Sequence, residues 1–287
     1  MGNIAWLASY PKSGNTWLRA FIYNLFMQPE QPGGITEFPK YFESESDLNW
    51  YTPYLGNRAL DSIDPDEIFA LREKVHKCIA KKVANGTVYT KTHNRFGKVN
   101  GHPLHNLTVT AGAIVVVRNP LDIVLSMADH FGRSLDDTID SMANENAFSP
   151  GDDVNVANFL GSWSSHIASW TTQDREKILV IRYEDMLDQP MITFGRVATL
   201  LGLGDDRPRI ERAVRFSSFT ELRKQEMEVG FIERSPHSEY FFRAGRKNQW
   251  IEQLSTEQIA LMTRQHREQM ERFNYIPTDY GQEQVSK

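Results

Sequence analysis

The sequence is best interpreted from the stretch Ser9-Tyr10-Pro11-Lys12-Ser13-Gly14-Asn15-Thr16-Trp17, because it joins a predicted strand to a predicted helix. The preceding run, Ile4–Ser9, is short and apolar, as a buried strand is, and the following run, Thr16–Met27, carries apolar residues on one helical face. Where a strand passes into a helix, the first helical amides and small side chains can cradle a phosphate. The stretch therefore predicts an anion-binding loop.

The order of residues in this loop separates it from the magnesium-binding phosphate loops. A Walker A loop reads Gly-x-x-x-x-Gly-Lys-Ser/Thr, with a hydroxyl after the lysine for Mg²⁺. Here Lys12 precedes Gly14, so that pattern is absent, although Ser13, Asn15 and Thr16 still supply short polar groups. A polar turn that merely starts a helix is the alternative interpretation.

Alternation of predicted strands and helices gives the fold class. The predicted strands are Ile4–Ser9, Val88–Lys91, Ala113–Val117 and Lys177–Tyr183. The predicted helices are Thr16–Met27, 64–84, Asn119–His130, Val154–Trp170, Pro190–Leu201 and Ser255–Phe273. Such alternation predicts an α/β fold with a central parallel β-sheet flanked by helices. For the helix 64–84 we expect a capping box of Asp64 with Glu67, and a left-handed stop at Gly86.

Composition and charge limit the class of protein. The chain has 287 residues, of which 40% are hydrophobic and 24% charged, with a formal net charge of −5. We therefore expect one domain over 1–277, a flexible tail over 278–287, and no nucleic-acid partner. Cys78 is the single cysteine, which excludes an intrachain disulfide, and no apolar run is long enough for a membrane span. These features favour a cytoplasmic enzyme with no membrane partner.

A second candidate anion site follows the third strand. Arg118 comes directly after Ala113–Val117, and Ser126 lies about two helical turns further along the next predicted helix. Ligands of open α/β sheets bind at the carboxyl ends of strands, and the fork of an arginine suits a phosphate. An ion pair between Arg118 and Asp122 that only braces the strand end is the alternative.

His93 is the candidate base among eight histidines. It follows Lys91 at the predicted carboxyl end of the second strand, where a neutral imidazole could take a proton from a hydroxyl group. His102 and His105 lie close together in sequence, but they lack cysteine or a clear carboxylate partner, so we predict no metal site.

These motifs resemble those of the cytosolic-type sulfotransferases that use 3′-phosphoadenosine 5′-phosphosulfate (PAPS). Tyr10 to Trp17 match the family's Tyr-Pro-Lys-Ser-Gly-x-Thr-Trp, and the resemblance runs from about Ile4 to Trp250. It implies that Lys12 contacts the 5′-phosphate and the bridging oxygen, that the amides of 13–16 hold the phosphate, and that Trp17 stacks on adenine.

Further blocks carry the same resemblance. Arg118 and Ser126 fall on the family's 3′-phosphate positions, and Lys91 and His93 on its Lys-Thr-His, which implies a sulfuryl contact and the general base. The resemblance also places further residues at the nucleotide: Tyr183, Ser217, Phe219, Arg243, Ala244, Gly245. Ala244 departs from the family, which has a lysine there, and either Arg246 or Lys247 could restore the lost charge.

The resemblance implies a P-loop-like nucleotide-binding core in a single domain with acceptor-binding insertions. It also implies in-line transfer of a sulfuryl group from PAPS to the hydroxyl of a small molecule, with PAPS as co-substrate and no metal. Two alternatives are a P-loop kinase of small alcohols and an inert nucleotide-binding regulator. No oligomeric state is predicted.

The segment Gln28–Ser62 is rich in proline, glycine and aromatic residues without clear periodicity. Six aromatics lie in it: Phe38, Tyr41, Phe42, Trp50, Tyr51, Tyr54. Others lie elsewhere in segments expected to reach the same sheet edge: Phe96, His130, Phe131, Phe231, Tyr240. We expect the segment to be a lid over a hydrophobic acceptor, a phenol or lipophilic alcohol. A satellite core packed on the domain is the alternative.

Overall fold

The fold is taken from a computed structural model, which describes residues 2–56, 58–172, 177–204 and 206–278. The strands in this part of the chain are β1 Asn3–Ser9, β2 Glu43–Ser44, β3 Thr87–Thr92, β4 Lys98–Val99, β5 His102–Pro103, β6 Thr110–Val117, β7 Phe148–Ser149, β8 Asn158–Phe159 and β9 Ile178–Arg182.

The α-helices of the described residues are α1 Asn15–Met27, α2 Phe38–Tyr41, α3 Thr52–Leu55, α4 Pro65–Ala80, α5 Pro120–Phe131, α6 Leu135–Ala143, α7 Trp163–Thr171, α8 Tyr183–Asp188, α9 Pro190–Leu200, α10 Arg207–Phe216, α11 Phe219–Val229, α12 Trp250–Gln253, α13 Thr256–Gln265 and α14 Arg267–Arg272. Short 3₁₀ helices cover Ile35–Glu37, Leu48–Trp50, Leu60–Ser62 and Leu107–Val109.

A five-stranded sheet in the order β2-β3-β1-β6-β9 forms the centre, and its neighbouring strands are parallel. The four predicted strands are confirmed within three residues at each end. In register, Ala8 of β1 pairs with Thr92 of β3 and with Val115 of β6. The carboxyl ends of these strands therefore meet at one edge, which is where ligands of such sheets bind.

Helices cover both faces of the sheet because side chains along a strand alternate between its faces. Trp6 of β1 belongs to one hydrophobic core, which also contains Val75 of α4. Leu7 belongs to the other, which also contains Phe21 of α1. Since both cores share the sheet, the chain forms one α/β domain, as predicted.

The predicted helix 64–84 is too long at its C-terminal end. The helix α4 ends at Ala80, and Gly86, with φ of 114°, lies in the turn before β3. The predicted capping box is also wrong. Asp64 accepts a hydrogen bond from the Asp66 amide at 2.9 Å, but Glu67 forms an ion pair with Arg58 at 2.7 Å.

Two other predicted helices are divided in the structure. The region Val154–Trp170 contains β8 and then α7, which begins after Ser162, whose hydroxyl accepts a hydrogen bond from the Ser165 amide at 3.0 Å. The region Ser255–Phe273 holds α13 and α14, which are separated at His266. The cap at Ser162 explains why α7 begins there despite the apolar periodicity that suggested a longer helix.

The segment Gln28–Ser62 is packed against the domain and is not an irregular lid. Its strand β2 extends the sheet by pairing with β3, and Phe38, Phe42 and Tyr51 are buried in the two cores. This is the satellite core that was the alternative interpretation.

The predicted flexible tail, 278–287, lies outside the described residues except for Thr278. Within the described residues, each helix is too short or too polar to cross a membrane.

Candidate active site

The anion-binding loop is built from the end of β1 and the start of α1. Lys12 has φ of 63° and Gly14 has φ of 105°, so the chain makes a left-handed turn at both. A Cβ atom at Gly14 would lie 2.7 Å from Cδ2 of Tyr183, which requires glycine there. No side chain of the described residues caps the first amides of α1, and its first turn carries no acidic residue. These amides are therefore suited to an anion.

The Lys12 ammonium group lies inside the site. Its Nζ is 3.9 Å from the centroid of the Phe241 ring and 3.4 Å from Nδ1 of His130. Burial lowers the pKa of Lys12 to about 8, and the neighbouring Arg118 adds to that effect. Binding an anion would relieve this destabilised charge.

Arg118 is directed at the loop and not at Asp122. Its Nη1 donates to the Lys12 carbonyl oxygen at 2.8 Å, and its guanidinium lies 4.3 Å from the centroid of the Tyr183 ring. Asp122 instead accepts from the amides of Asn248 and Gln249, each at 2.8 Å. The alternative of an Arg118–Asp122 brace is therefore wrong, and Nε of Arg118 is buried without a partner among the described residues.

The block around Gly245 reaches the same site. Gly245 has φ of 60°, and a Cβ atom there would lie 2.2 Å from the Phe219 ring, so the backbone packs closely on that aromatic. Arg243 donates from Nη2 to Oε1 of Gln249 at 3.1 Å. Arg246 is paired with Glu252 at 3.0 Å, and Lys247 with Asp188. Neither of these two cations lines the cavity, so neither replaces the lysine that Ala244 lacks.

His93 is held in the tautomer that a base requires. Its Nδ1 lies 2.8 Å from the Ser9 carbonyl oxygen, so Nδ1 carries the proton and donates it, while Nε2 has a free lone pair. Burial and the nearby Lys91 lower the pKa of His93 to about 3, so its imidazole is neutral at physiological pH.

Glu233 is a site residue that the sequence did not reveal, because a lone glutamate in a loop carries no signal. Its Oε2 is 2.8 Å from Nη2 of Arg19 and its Oε1 is 3.3 Å from Nζ of Lys91. Burial opposes its ionisation, but Arg19 and Lys91 outweigh burial and hold the carboxyl pKa below its usual range. The Thr16 hydroxyl also donates to Glu233, at 3.2 Å, so that hydroxyl is not available to a phosphate.

Behind His93, Glu45 is the centre of a fully buried polar cluster. Its carboxylate is 3.2 Å from Nη1 of Arg72, 3.0 Å from Nε2 of His76 and 2.7 Å from Nδ2 of Asn94. Burial opposes ionisation of Glu45, but Arg72 and the other donors hold its pKa below the usual range. Because Asn94 follows His93 directly, this cluster fixes the chain that carries the candidate base.

One cavity brings most of the predicted site residues together. Those that line it are Lys12, Gly14, Asn15, Thr16, Trp17, Lys91, His93, Arg118, Ser126, Tyr183, Phe219, Arg243, Ala244 and Gly245. Ser13 and Ser217 are fully buried and do not line it, and the Ser217 hydroxyl donates to the Ala213 carbonyl at 2.8 Å.

The predicted acceptor aromatics are mostly elsewhere. None of the six in Gln28–Ser62 lines the cavity, and of the other five only His130 and Phe131 do. Phe241, which was not predicted, also lines it. The aromatic lid is therefore wrong, because its side chains pack into the cores or remain on the surface.

The described residues contain no group of three or more His, Cys, Asp or Glu side chains that could hold a metal ion. His105 is buried and packs edge-on against Trp6 at 4.8 Å between ring centroids, which is a structural role.

Comparison with known proteins gives a consistent result. Residues 4–274 match the family model described as Sulfotransferase domain. Cytosolic sulfotransferase 15 from Arabidopsis thaliana is 23% identical over 275 residues, covering 90% of this chain and 69% of that protein. Flavonol 3-sulfotransferase from Flaveria bidentis is 24% identical over 272 residues, covering 90% and 78%.

Solved structures share the fold. The crystal structure of mouse sulfotransferase SULT7A1 complexed with PAP superposes with a TM-score of 0.60 at 18% identity, covering 93% of this chain and 84% of that one. Retinol dehydratase in complex with androsterone and the inactive cofactor PAP gives a TM-score of 0.66 at 16% identity, covering 93% and 80%.

Proposed function

The chain belongs to the sulfotransferase family, and we propose that it transfers a sulfuryl group from PAPS to the hydroxyl group of a small acceptor. The observation that carries this proposal is the meeting of two anion sites in one cavity. Arg118, at the second site, donates to the carbonyl of Lys12, in the loop. Two adjacent cationic sites suit a nucleotide with phosphates at both its 3′ and 5′ positions. Relatives whose structures contain PAP support the same donor.

In the proposed complex, the 5′-phosphosulfate lies on the amides that begin α1. The 3′-phosphate lies at Arg118, Ser126 and Arg243, and the adenine among Trp17, Tyr183 and Phe219. The rings of Trp17 and Tyr183 are in edge contact, with their centroids 5.6 Å apart, and offer the adenine an aromatic surface.

The reaction follows from the charges at these positions. The acceptor oxygen attacks sulfur, the bond from sulfur to the bridging oxygen breaks, and PAP leaves with the electron pair. Lys12 stabilises the charge that develops on that oxygen, and Lys91 the oxygens of the sulfuryl group. Nε2 of His93 takes the proton of the acceptor hydroxyl.

The low pKa of His93 is compatible with this role. A phosphosulfate bound beside Lys91 brings negative charge close to the imidazole, and a nearby negative charge raises the pKa of a histidine. The donor would thus increase the basicity of His93 when the acceptor needs it.

We further propose that the acceptor has an apolar face that lies against Phe131 and Phe241. Both rings line the cavity that also contains His93. Androsterone in one related structure and retinol in another are largely apolar hydroxyl compounds. We place the enzyme in the cytoplasm, as the cytosolic relatives suggest.

The test is turnover with labelled PAPS, together with thermal protection by PAP, adenosine 5′-phosphate and ATP. We expect PAP to raise the melting temperature most, because only PAP fills both anion sites. Stronger protection by ATP would contradict the proposed donor, and protection by PAP without any turnover would indicate an inert nucleotide-binding protein.

A further inference from the structure

Part of the cavity lining is polar and has no role in the donor sites. It consists of Ser46, Ser149, Asp152, Asn155 and Asn158, which we call the polar wall. A binding site for a purely lipophilic molecule does not need this many amide, hydroxyl and carboxylate groups.

The polar wall has a fixed backbone. The Val156 amide donates to the Ser46 carbonyl at 2.7 Å, and the Leu48 amide donates to the Val154 carbonyl at 2.9 Å. Two chain segments distant in sequence are thereby tied together, so the polar side chains are placed by the fold.

The wall also adjoins the candidate base. Oδ1 of Asn158 accepts a hydrogen bond from Nδ2 of Asn94 at 3.1 Å, and Asn94 is the residue after His93. Because His93 and the polar wall line the same cavity, an acceptor whose reacting hydroxyl is at His93 can also contact the wall.

Several polar atoms of the wall retain capacity for hydrogen bonds. Within the described residues, Oδ2 of Asp152 receives only a long contact, 3.3 Å, from Nδ2 of Asn155. In the same part of the chain, Oδ1 of Asn155 accepts only from the Ser46 hydroxyl, at 3.2 Å. No ion pair joins Asp152 to a cation among the described residues. An apolar ligand would remove these groups from water without replacing their hydrogen bonds, which is unfavourable.

We infer that the acceptor is a ring compound with several hydroxyl groups, one of which reacts at His93 while others bind the polar wall. This inference rests on the proposed function. Hydroxyl groups both donate and accept, as this mixture of carboxylate, amide and hydroxyl groups requires. The ring face lies on Phe131 and Phe241, and the acceptor is more polar than the phenol or lipophilic alcohol expected from the sequence.

Three acceptors with the same aromatic body test the inference: 2-naphthol, 2,3-dihydroxynaphthalene and 2-naphthyl β-D-glucoside. Each is assayed for sulfate transfer from labelled PAPS at saturating donor. We expect the diol, the glucoside or both to exceed 2-naphthol in kcat/KM by at least about twofold, and by up to about tenfold for each added hydrogen bond. The diol and the glucoside distinguish a polyphenol from a sugar.

Two variants test whether the polar wall causes the preference for a polyhydroxylated acceptor. Ser149→Ala and Asn155→Ala should reduce the preference for the polyhydroxylated acceptor several-fold without changing PAP affinity. Asn49→Ala is the matched control, because Asn49 is exposed beside the same segment and does not line the cavity. A preference that survives both wall variants overturns the inference.

The outcomes separate this inference from the proposed function. Transfer to 2-naphthol that equals or exceeds transfer to the other two would overturn the polar acceptor while confirming the sulfotransferase. Hydrolysis of PAPS with no transfer to the diol or glucoside also overturns it. Absence of both PAP binding and PAPS cleavage would instead contradict the proposed donor.

Discussion

Arg118→Ala should distinguish a nucleotide that has a 3′-phosphate from one that lacks it. The substitution removes two things. One is the hydrogen bond from Nη1 to the Lys12 carbonyl, 2.8 Å long, which shapes the loop for any 5′-phosphate and is worth about 1 kcal/mol. The other is the charged contact with the 3′-phosphate, worth about 1.5–3 kcal/mol.

These magnitudes give separate expectations for two ligands. Since about 1.4 kcal/mol is a factor of ten, adenosine 5′-phosphate should lose about fivefold in affinity and PAP about 70- to 800-fold. Isothermal titration calorimetry with both nucleotides measures the difference directly. Arg246→Ala is the control, because its side chain is paired with Glu252 outside the cavity. Equal losses for both nucleotides would show that Arg118 only supports the loop, and the assignment of the 3′-phosphate would be refuted.

Four further predictions concern chemistry and pH. Lys12→Ala should lower kcat by about 10²–10³ at saturating donor, since its charge matters most as the leaving oxygen develops charge; an unchanged kcat in a single-turnover assay would restrict Lys12 to binding. His93→Ala should lower kcat by about 10²–10⁴ with PAP affinity retained; a parallel loss of PAP affinity by calorimetry would make His93 structural. Transfer should persist in EDTA, as the predicted absence of a metal requires; strong loss that Mg²⁺ restores would contradict that prediction. The free energy of unfolding should fall as the pH drops from about 6.5 towards 4. The buried His93, His105 and His166 have pKa values of about 3 in the fold and about 6.5 when unfolded, so the unfolded chain binds more protons in this window. A melting temperature that is flat over this range would show that these rings are solvated.

The sequence predicted the part of the fold that short-range signals specify. The strands β1, β6 and β9 were recognisable as nearly continuous apolar runs, which burial on both faces requires. The strand β3 was recognisable as a short run of residues that favour strands. The edge strand β2 was not, because only two residues, Glu43 and Ser44, form it and both are polar. Its position depends on pairing with β3, which is a long-range contact without a local signal.

In the candidate site, too, local signals predicted some residues, whereas long-range contacts place others that the sequence could not reveal. Residues that follow directly from strand ends, such as Lys12, His93 and Arg118, could be predicted because parallel strands bring their carboxyl ends together. Glu233 and the polar wall could not, since they come from loops whose placement depends on tertiary contacts. The prediction of an aromatic lid was wrong because an aromatic-rich segment can equally pack into a core, as Phe38 and Tyr51 do.

A chain with a net charge of −5 forms a cationic site by gathering a few lysines and arginines at one edge of its sheet. Lys12 has no carboxylate within salt-bridge distance among the described residues, and burial lowers its pKa to about 8. Among the described residues Lys91 forms an ion pair with Glu233, which Arg19 shares, and Asp152 also acts on its charge. The site therefore carries positive charge in excess of its acidic partners, and the fold is less stable for it. A ligand that binds only the folded chain returns that stability, by about 2.7 kcal/mol at 100 times its Kd. The phosphates of the donor thus complete an electrostatic arrangement that the chain leaves unbalanced, which is why PAP should stabilise this protein more than a nucleotide with one phosphate site.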